Sequence, residues 1–216
     1  MTHASTLPQP LAHERAGLGV RHGLRDVIGA SGWERLPEAV RERFADAAGT
    51  VTYAGAFEVV RASAAGRIVA WLGRLVGTPV APRTGANVEA RVRVRPGAHG
   101  VDWIREYRWA DGAIHHIRST KVVSEDGTLV EKLPARLCMP LDTYEEGGVL
   151  HFVSRGYYFD LGFKAWLPAL LCPGVTHVEH IDLAHGWFRF TMTVVHPLFG
   201  EMFFHTGRFC AAEELP

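Results

Sequence analysis

Two charged side chains of this 216-residue chain stand where charge is expensive. In "VDWIREYRW", residues 101–109, an extended backbone puts Val101, Trp103, Arg105, Tyr107 and Trp109 on one face. Four of the five are apolar or aromatic, and the one in the middle is an arginine. A guanidinium cannot shed its charge, since its pKa stays above about 12, so a buried Arg105 needs a carboxylate or a ligand anion. Glu131 is its counterpart, a carboxylate between Leu129 and Leu133 in the row "TLVEKL". One opposite charge in the middle of each row predicts a pair. The pair is either a structural link that fixes strand register or the polar part of a cavity that meets a ligand. In a cavity, Glu131 is a candidate proton carrier and Arg105 a candidate stabiliser of developing negative charge.

Two further groups belong with this pair. Ser119 shares its strand face with His115, Ile117 and Lys121, and is either an extension of the polar patch or an ordinary strand serine. No Gly-x-Ser-x-Gly elbow is present to suggest a serine hydrolase. Near the C-terminus, a four-residue turn at Pro197–Gly200 sets Val194 opposite Phe203 and Met192 opposite His205. That register gives an interior face with His205 in its middle and His196 near its rim. A neutral histidine there can give or take one proton, or is a core histidine satisfied by backbone. The expected ligand-lining set is Trp103, Arg105, Tyr107, Ser119 and Glu131 from one wall, with Phe190, Met192, Phe203 and His205 from the other. The candidates for catalysis are Glu131, Arg105 and His205.

Twelve histidines call for a metal check. His177 and His180 lie three apart on an expected strand and point to opposite faces, and adjacent His115 and His116 diverge for the same reason. His196 and His205 share a face but fall roughly 13 Å apart at strand rise. There is no HExxH and no cysteine ligand spacing, so no metal site is expected. No GxGxxG follows a strand and no P-loop appears, so no cofactor is expected either.

Composition narrows the remaining classes. Hydrophobic residues make up 47% of the chain, enough for a packed core rather than a disordered polymer. The 23 basic and 23 acidic residues cancel, which leaves no global field for nucleic acid or an anionic membrane. Arg91, Arg93 and Arg95 form the polar face of a half-buried strand with no aromatics between them, so no nucleic-acid partner is expected. Cys138, Cys172 and Cys210 are odd in number and widely spaced, as fits buried free thiols in a reducing, cytoplasmic setting. The N-terminal stretch carries no apolar run of signal-peptide length, and the longest apolar run, near Ala165–Cys172, is too short to span a bilayer and contains Pro168.

The elements that must position these residues are mostly strands. Residues 1–22 read as a mobile tail and 23–216 as a single β-rich domain. One helix is expected from Pro37 to Ala48, with Val40 and Phe44 as its apolar stripe. A second is expected over residues 66–76, ended by Gly77 and Pro79. Strands are expected at 50–61, 87–95, 101–109, 114–124, 128–139, 141–146, 149–158, 175–182, 187–196 and 201–209. The expectation is a mainly β fold: a strongly curved antiparallel sheet or barrel of about nine strands, with two packed helices across an opening or edge. The aromatic segment 157–168 is either a flap near the mouth or a plain capping loop.

The stretches "GASGWERLPEAVRERF", "VDWIREYRW", "RST", "LVEKL", "WLP" and "HPLFGEMFFHTGRF" occur in an order and spacing that resembles a bacterial family catalogued as domain of unknown function 4166. The resemblance covers about residues 27–210. Its pattern falls on Trp103, Arg105, Ser119, Glu131, Pro168 and Gly207, and it departs at His205, where tyrosine is expected. The resemblance implies a β-rich single domain, found alone or joined to reductase domains similar to saccharopine dehydrogenase, and no mechanism. Three functions follow as expectations. One is a binder of a hydrophobic small molecule or lipid whose polar head group meets Arg105 and Glu131. The second is a cofactor-independent acid–base enzyme such as an isomerase, cyclase or lyase. The third, implied by the fusions, is an accessory domain that docks a reductase partner.

Overall fold

The computed structural model describes residues 23–45, 49–73 and 83–214. The tail expected over residues 1–22 lies outside the described residues, as do the last residues of both expected helices. Among the described residues twelve strands, every neighbouring pair antiparallel, build one sheet. They are β1 (Val51–Ala62), β2 (Gly85–Pro96), β3 (Val101–Arg108), β4 (Ile114–Val123), β5 (Leu129–Lys132), β6 (Leu137–Glu146), β7 (Val149–Ser154), β8 (Tyr158–Asp160), β9 (Lys164–Trp166), β10 (Val175–Asp182), β11 (Phe188–His196) and β12 (Gly200–Ala211). Their order is β5-β4-β3-β2-β1-β12-β11-β10-β7-β6, and β5 pairs back onto β6 to close a ten-stranded barrel. The β8–β9 hairpin extends the sheet from the start of β6, where β8 pairs with Leu137 and Cys138.

The expected barrel of about nine strands is present with ten, plus the two short strands of the hairpin, and the reason for the difference is local. The run 128–139 is not one strand. Pro134 has no N–H to give to a ladder, and it opens a one-turn 3-10 segment, Pro134–Arg136, in which Ala135 and Arg136 take positive φ. The chain reverses there, so the two halves of the run become neighbours: Leu129 opposite Leu141, Glu131 opposite Met139. The break that ends the strand therefore also closes the barrel. The run 149–158 is divided in the same way near Gly156, at φ 133°.

Among the described residues there are four helices where two were expected: α1 (Leu24–Ile28), α2 (Ala30–Arg35), α3 (Glu38–Phe44) and α4 (Ala64–Gly73). The first two are too short for a readable periodicity and are separated at Gly29, at φ 81°. They hold to the barrel through Leu24, Val27, Ile28 and Trp33, packed against a core cluster that includes Leu137, Leu141 and Leu150. Helix α3 buries Val40 and drives Phe44 between Trp103 and Phe152, with ring centroids 5.8 and 5.7 Å away. Helix α4 starts at Ser63, whose hydroxyl accepts the Gly66 N–H, and packs Ala70 against Val194, Met202 and Phe203. Arg43 of α3 lies 3.7 Å over the Phe188 ring at the start of β11, whereas α4 packs near that strand's end. The two helices thus sit at opposite ends of the barrel.

The β11–β12 hairpin has the expected register, with Met192 opposite His205 and Val194 opposite Phe203. A slip between Val194 and Val195 shortens the turn to residues 197–199. His196 secures that turn: its Nδ1 accepts the Leu198 N–H at 3.1 Å, and its Nε2 lies 3.3 Å from the Leu170 carbonyl. All three cysteines are buried, and none is joined in a disulfide. Among the described residues no helix is long and apolar enough to cross a membrane.

Gly207 is a place where backbone meets backbone. It pairs with Phe57 beside a bulge in β1, and a Cβ on it would lie 2.3 Å from the Ala56 carbonyl oxygen. Neither atom can yield without moving a strand of the closed barrel. Gly207→Ala is therefore expected to lower the unfolding free energy by about 1–3 kcal/mol, measured by urea titration, while an alanine at Gly112, which faces open space but has φ +80°, should cost only a local backbone strain.

Candidate functional site

The β3–β4 and β4–β5 pairings bring four polar side chains onto the inner face of the barrel. Trp103 stands opposite Ser119, Arg105 opposite Ile117, and Lys121 opposite Glu131. Arg105 Nη2 lies 3.6 Å from Glu131 Oε1, which joins the two charges expected to pair. The closer partner of the carboxylate is Lys121, whose Nζ donates to Oε2 at 2.6 Å. Arg105 Nη1 donates to Ser119 Oγ at 3.1 Å, and Ser119 also hydrogen-bonds Glu131. The side chains of Arg105, Lys121 and Glu131 are only 15, 15 and 10% exposed. The expected pair is a triad of one carboxylate and two cations.

Lys121 was legible as a member of that face but not as the principal partner. The signal was the turn at residues 124–128. A tight connection between Val123 and Leu129, which pair directly, fixes Lys121 opposite Glu131 two residues further along.

Burial pushes the Glu131 pKa up, but Lys121, then Arg105, and the hydrogen bonds from Lys121 and Ser119 outweigh it and hold the pKa at about 2. Burial lowers the Lys121 pKa, and the neighbouring Arg105 lowers it further, against the raising effect of Glu131. His180 faces the same space from β10. Burial, then the positive charges of Arg43, Lys121 and Arg105, hold its pKa far below the usual value, so the ring is neutral. Its Nδ1 and the Trp103 Nε1 are buried with no hydrogen-bond partner among the described residues.

These groups line a cavity of about 100 Å³, well above the roughly 10–15 Å³ that one water requires. Most of its wall is apolar. Tyr107, Phe152, Tyr157, Val178 and Phe190 form its sides, and Val69 and Ala70 of α4 close one end. Two cations lie over its aromatic rings: Lys121 Nζ is 5.4 Å from the Trp103 ring and 5.5 Å from that of Phe152, and Arg105 is 5.8 Å from Trp103. A second cleft, between α3 and the β3–β4 wall, shares Trp103, Lys121 and Phe152 with the cavity.

Of the residues expected to line a ligand, Trp103, Arg105, Tyr107, Glu131, Phe190, Met192 and Phe203 stand on this wall. Ser119 lies behind it, fully enclosed, with its hydroxyl on Arg105. His205 points inward and is completely buried, but it sits in the packed core between Phe57 and Tyr107, at centroid distances of 5.7 and 6.0 Å. Neither of its ring nitrogens has a hydrogen-bond partner among the described residues, and burial lowers its pKa to about 4. The segment 157–168 is held as the β8–β9 hairpin, from whose base Tyr157 reaches the cavity and hydrogen-bonds Thr176 Oγ1 at 2.8 Å. Lys121, Phe152, Tyr157, Val178 and His180 are among the lining residues outside the expected set. All of these but Lys121 come from β7, β10 and the base of the β8–β9 hairpin, which reach the triad only when the sheet closes.

A family model described as Domain of unknown function (DUF4166) matches residues 36–209. No curated protein and no solved structure matches the chain.

The triad sets an order of mutational costs. Glu131→Leu strands two cations and is expected to destabilise by about 3–5 kcal/mol, whereas Arg105→Leu leaves a balanced Lys121–Glu131 pair and should cost less. The Arg105→Leu/Glu131→Leu double variant still contains an uncompensated Lys121 and should recover little. Adding Lys121→Met should restore stability, as read from urea midpoints. The buried histidines set a pH dependence. Below about pH 6.5 the unfolded chain takes up protons that folded His205 refuses until about pH 4. Stability should therefore fall across that interval, by up to roughly 1.4 kcal/mol per pH unit for each such histidine. His205→Leu should flatten the slope.

Proposed function

Because the chain belongs to the family described as Domain of unknown function (DUF4166), a description that names no activity, we propose a function from the cavity: the protein binds a hydrophobic small molecule or lipid-like ligand with an acidic head group. The observation that carries this reading is the charge imbalance in an apolar space, one carboxylate facing two cations. Glu131 suffices to hold Arg105 and Lys121 in the barrel, and a bound carboxylate or phosphate would neutralise the remaining charge. The unpartnered Trp103 Nε1 on the same wall would gain an acceptor at the same time. The apolar body of the ligand would lie along Phe152, Val178 and Phe190.

The same geometry argues against the acid–base reading. A carboxylate held ionised down to about pH 2 is a weak proton acceptor, and His205 stands outside the cavity wall. A docking role needs no cavity at all, and nothing in the interior of the barrel supports it. Three buried cysteines with no disulfide among them fit a reducing, cytoplasmic setting.

Native mass spectrometry of freshly purified protein, followed by extraction, should reveal a retained acidic amphiphile. Titration with an eight-carbon carboxylate and the alcohol of equal length separates head group from chain. Lys121→Met, which leaves Glu131 paired with Arg105, should fold and weaken the carboxylate by about tenfold or more, at least ~1.4 kcal/mol, with little effect on the alcohol. Equal binding of both, unchanged in the variant, would refute the head-group assignment.

A further inference from the structure

The outer wall of the barrel holds a second constellation, independent of the cavity. His177 and Glu179 are two apart on β10 and share its outward face, since Thr176, Val178 and His180 between and around them line the interior. Glu179 pairs across the ladder with His151 of β7. The outcome is three donor atoms from two strands. His151 Nδ1 lies 3.0 Å from His177 Nε2 and 3.7 Å from Glu179 Oε1, and all three ligand atoms fall within 4.8 Å of one another.

We propose that His151, His177 and Glu179 form a binding site for a divalent transition-metal ion of the zinc class on the outside of the barrel. Two imidazoles and one carboxylate are a ligand set that zinc takes in sites that keep a position open, and imidazole suits it better than it suits calcium or magnesium. Metal–ligand bonds of about 2.0–2.2 Å put neighbouring donors about 3.3 Å apart around a tetrahedral ion, so the His151–His177 spacing already fits and Glu179 needs only a small rotation. The position of His151 is fixed in advance. Its ring stacks on Tyr144 at 4.9 Å and on His177 at 5.2 Å, and it hydrogen-bonds the backbone of Glu146. Such a bond orients a ligating imidazole and selects its tautomer. His177 and Glu179 are half-buried, which leaves the open side of the site to solvent.

The sequence check for metals missed this cluster because it compared histidines within a strand or a hairpin. His151 and His177 are 26 residues apart, on strands joined through the β8–β9 excursion.

The test uses untagged full-length protein stripped with a chelator, titrated with zinc against a chromophoric competitor and, separately, with cobalt. The expected result is one equivalent bound with a dissociation constant at or below about 1 µM, a cobalt visible spectrum of a four- or five-coordinate nitrogen–oxygen site, and a rise in Tm with zinc. His177→Ala and Glu179→Gln, whose side chains are only partly buried, should each weaken zinc by at least about 30-fold, ~2 kcal/mol, while retaining the fold. His151 is buried, so the test rests on these two variants and not on His151→Ala. Zinc binding weaker than about 100 µM, or binding unchanged in both variants, would overturn the site and leave a His151–His177 hydrogen bond alone.

Discussion

A single buried carboxylate, Glu131, decides what the inside of this barrel can be. Arg105 and Lys121 occupy a face otherwise made of Trp103, Tyr107 and Ile117, where neither cation could stay without it. That constraint reaches outward through the backbone. Lys121 meets Glu131 only if the β4–β5 turn keeps its register, and Arg105 meets both only if β3 pairs with β4 as it does. A shift of one residue in either pairing would turn a whole row to the other face and leave charge stranded. Strand β5 must then end almost at once, and Pro134 ends it. The chain folds back as β6, and the barrel closes.

The triad is an unusual choice if stability is the only aim. Apolar residues of similar volume often match or exceed a buried ion network, and the surrounding wall already has the aromatic mass to fill the space. Instead the interior keeps a cavity, two cations over its aromatic rings, and His180 neutral beside them. These features agree with the proposed anion site: the fixed positive charges suppress a further one on His180, and low-dielectric walls would strengthen what the cations offer to a ligand. His205 shares the burial without the purpose. It sits where an aromatic ring would pack, unpartnered among Phe57 and Tyr107.

What the sequence disclosed follows a physical line. Alternation exposed Arg105 and Glu131 as charges on apolar faces, and a short turn disclosed the Met192–His205 register. Local interactions of this kind leave a local trace. Strand number did not, because Pro134 and Gly156 divide runs whose composition is continuous. Helices α1 and α2 did not, because five or six residues cannot display a 3.6-residue period. The cross-barrel neighbours of the triad, Phe152 and His180, and the outer cluster of His151 with His177 and Glu179, depend on closure of the sheet. Closure joins strands by their spatial order, which no periodicity reports.

The central claim, that Glu131 stays ionised between two cations and leaves positive charge for a ligand, is tested most directly by carbon-13 NMR of the glutamate carboxyl groups across pH, repeated with an eight-carbon carboxylate present. The account predicts a Glu131 signal that remains in its ionised position at the lowest pH at which the protein is folded, and that shifts when the ligand is added. A Glu131 carboxyl that titrates near the ordinary value of about 4.3, unmoved by the ligand, would contradict it.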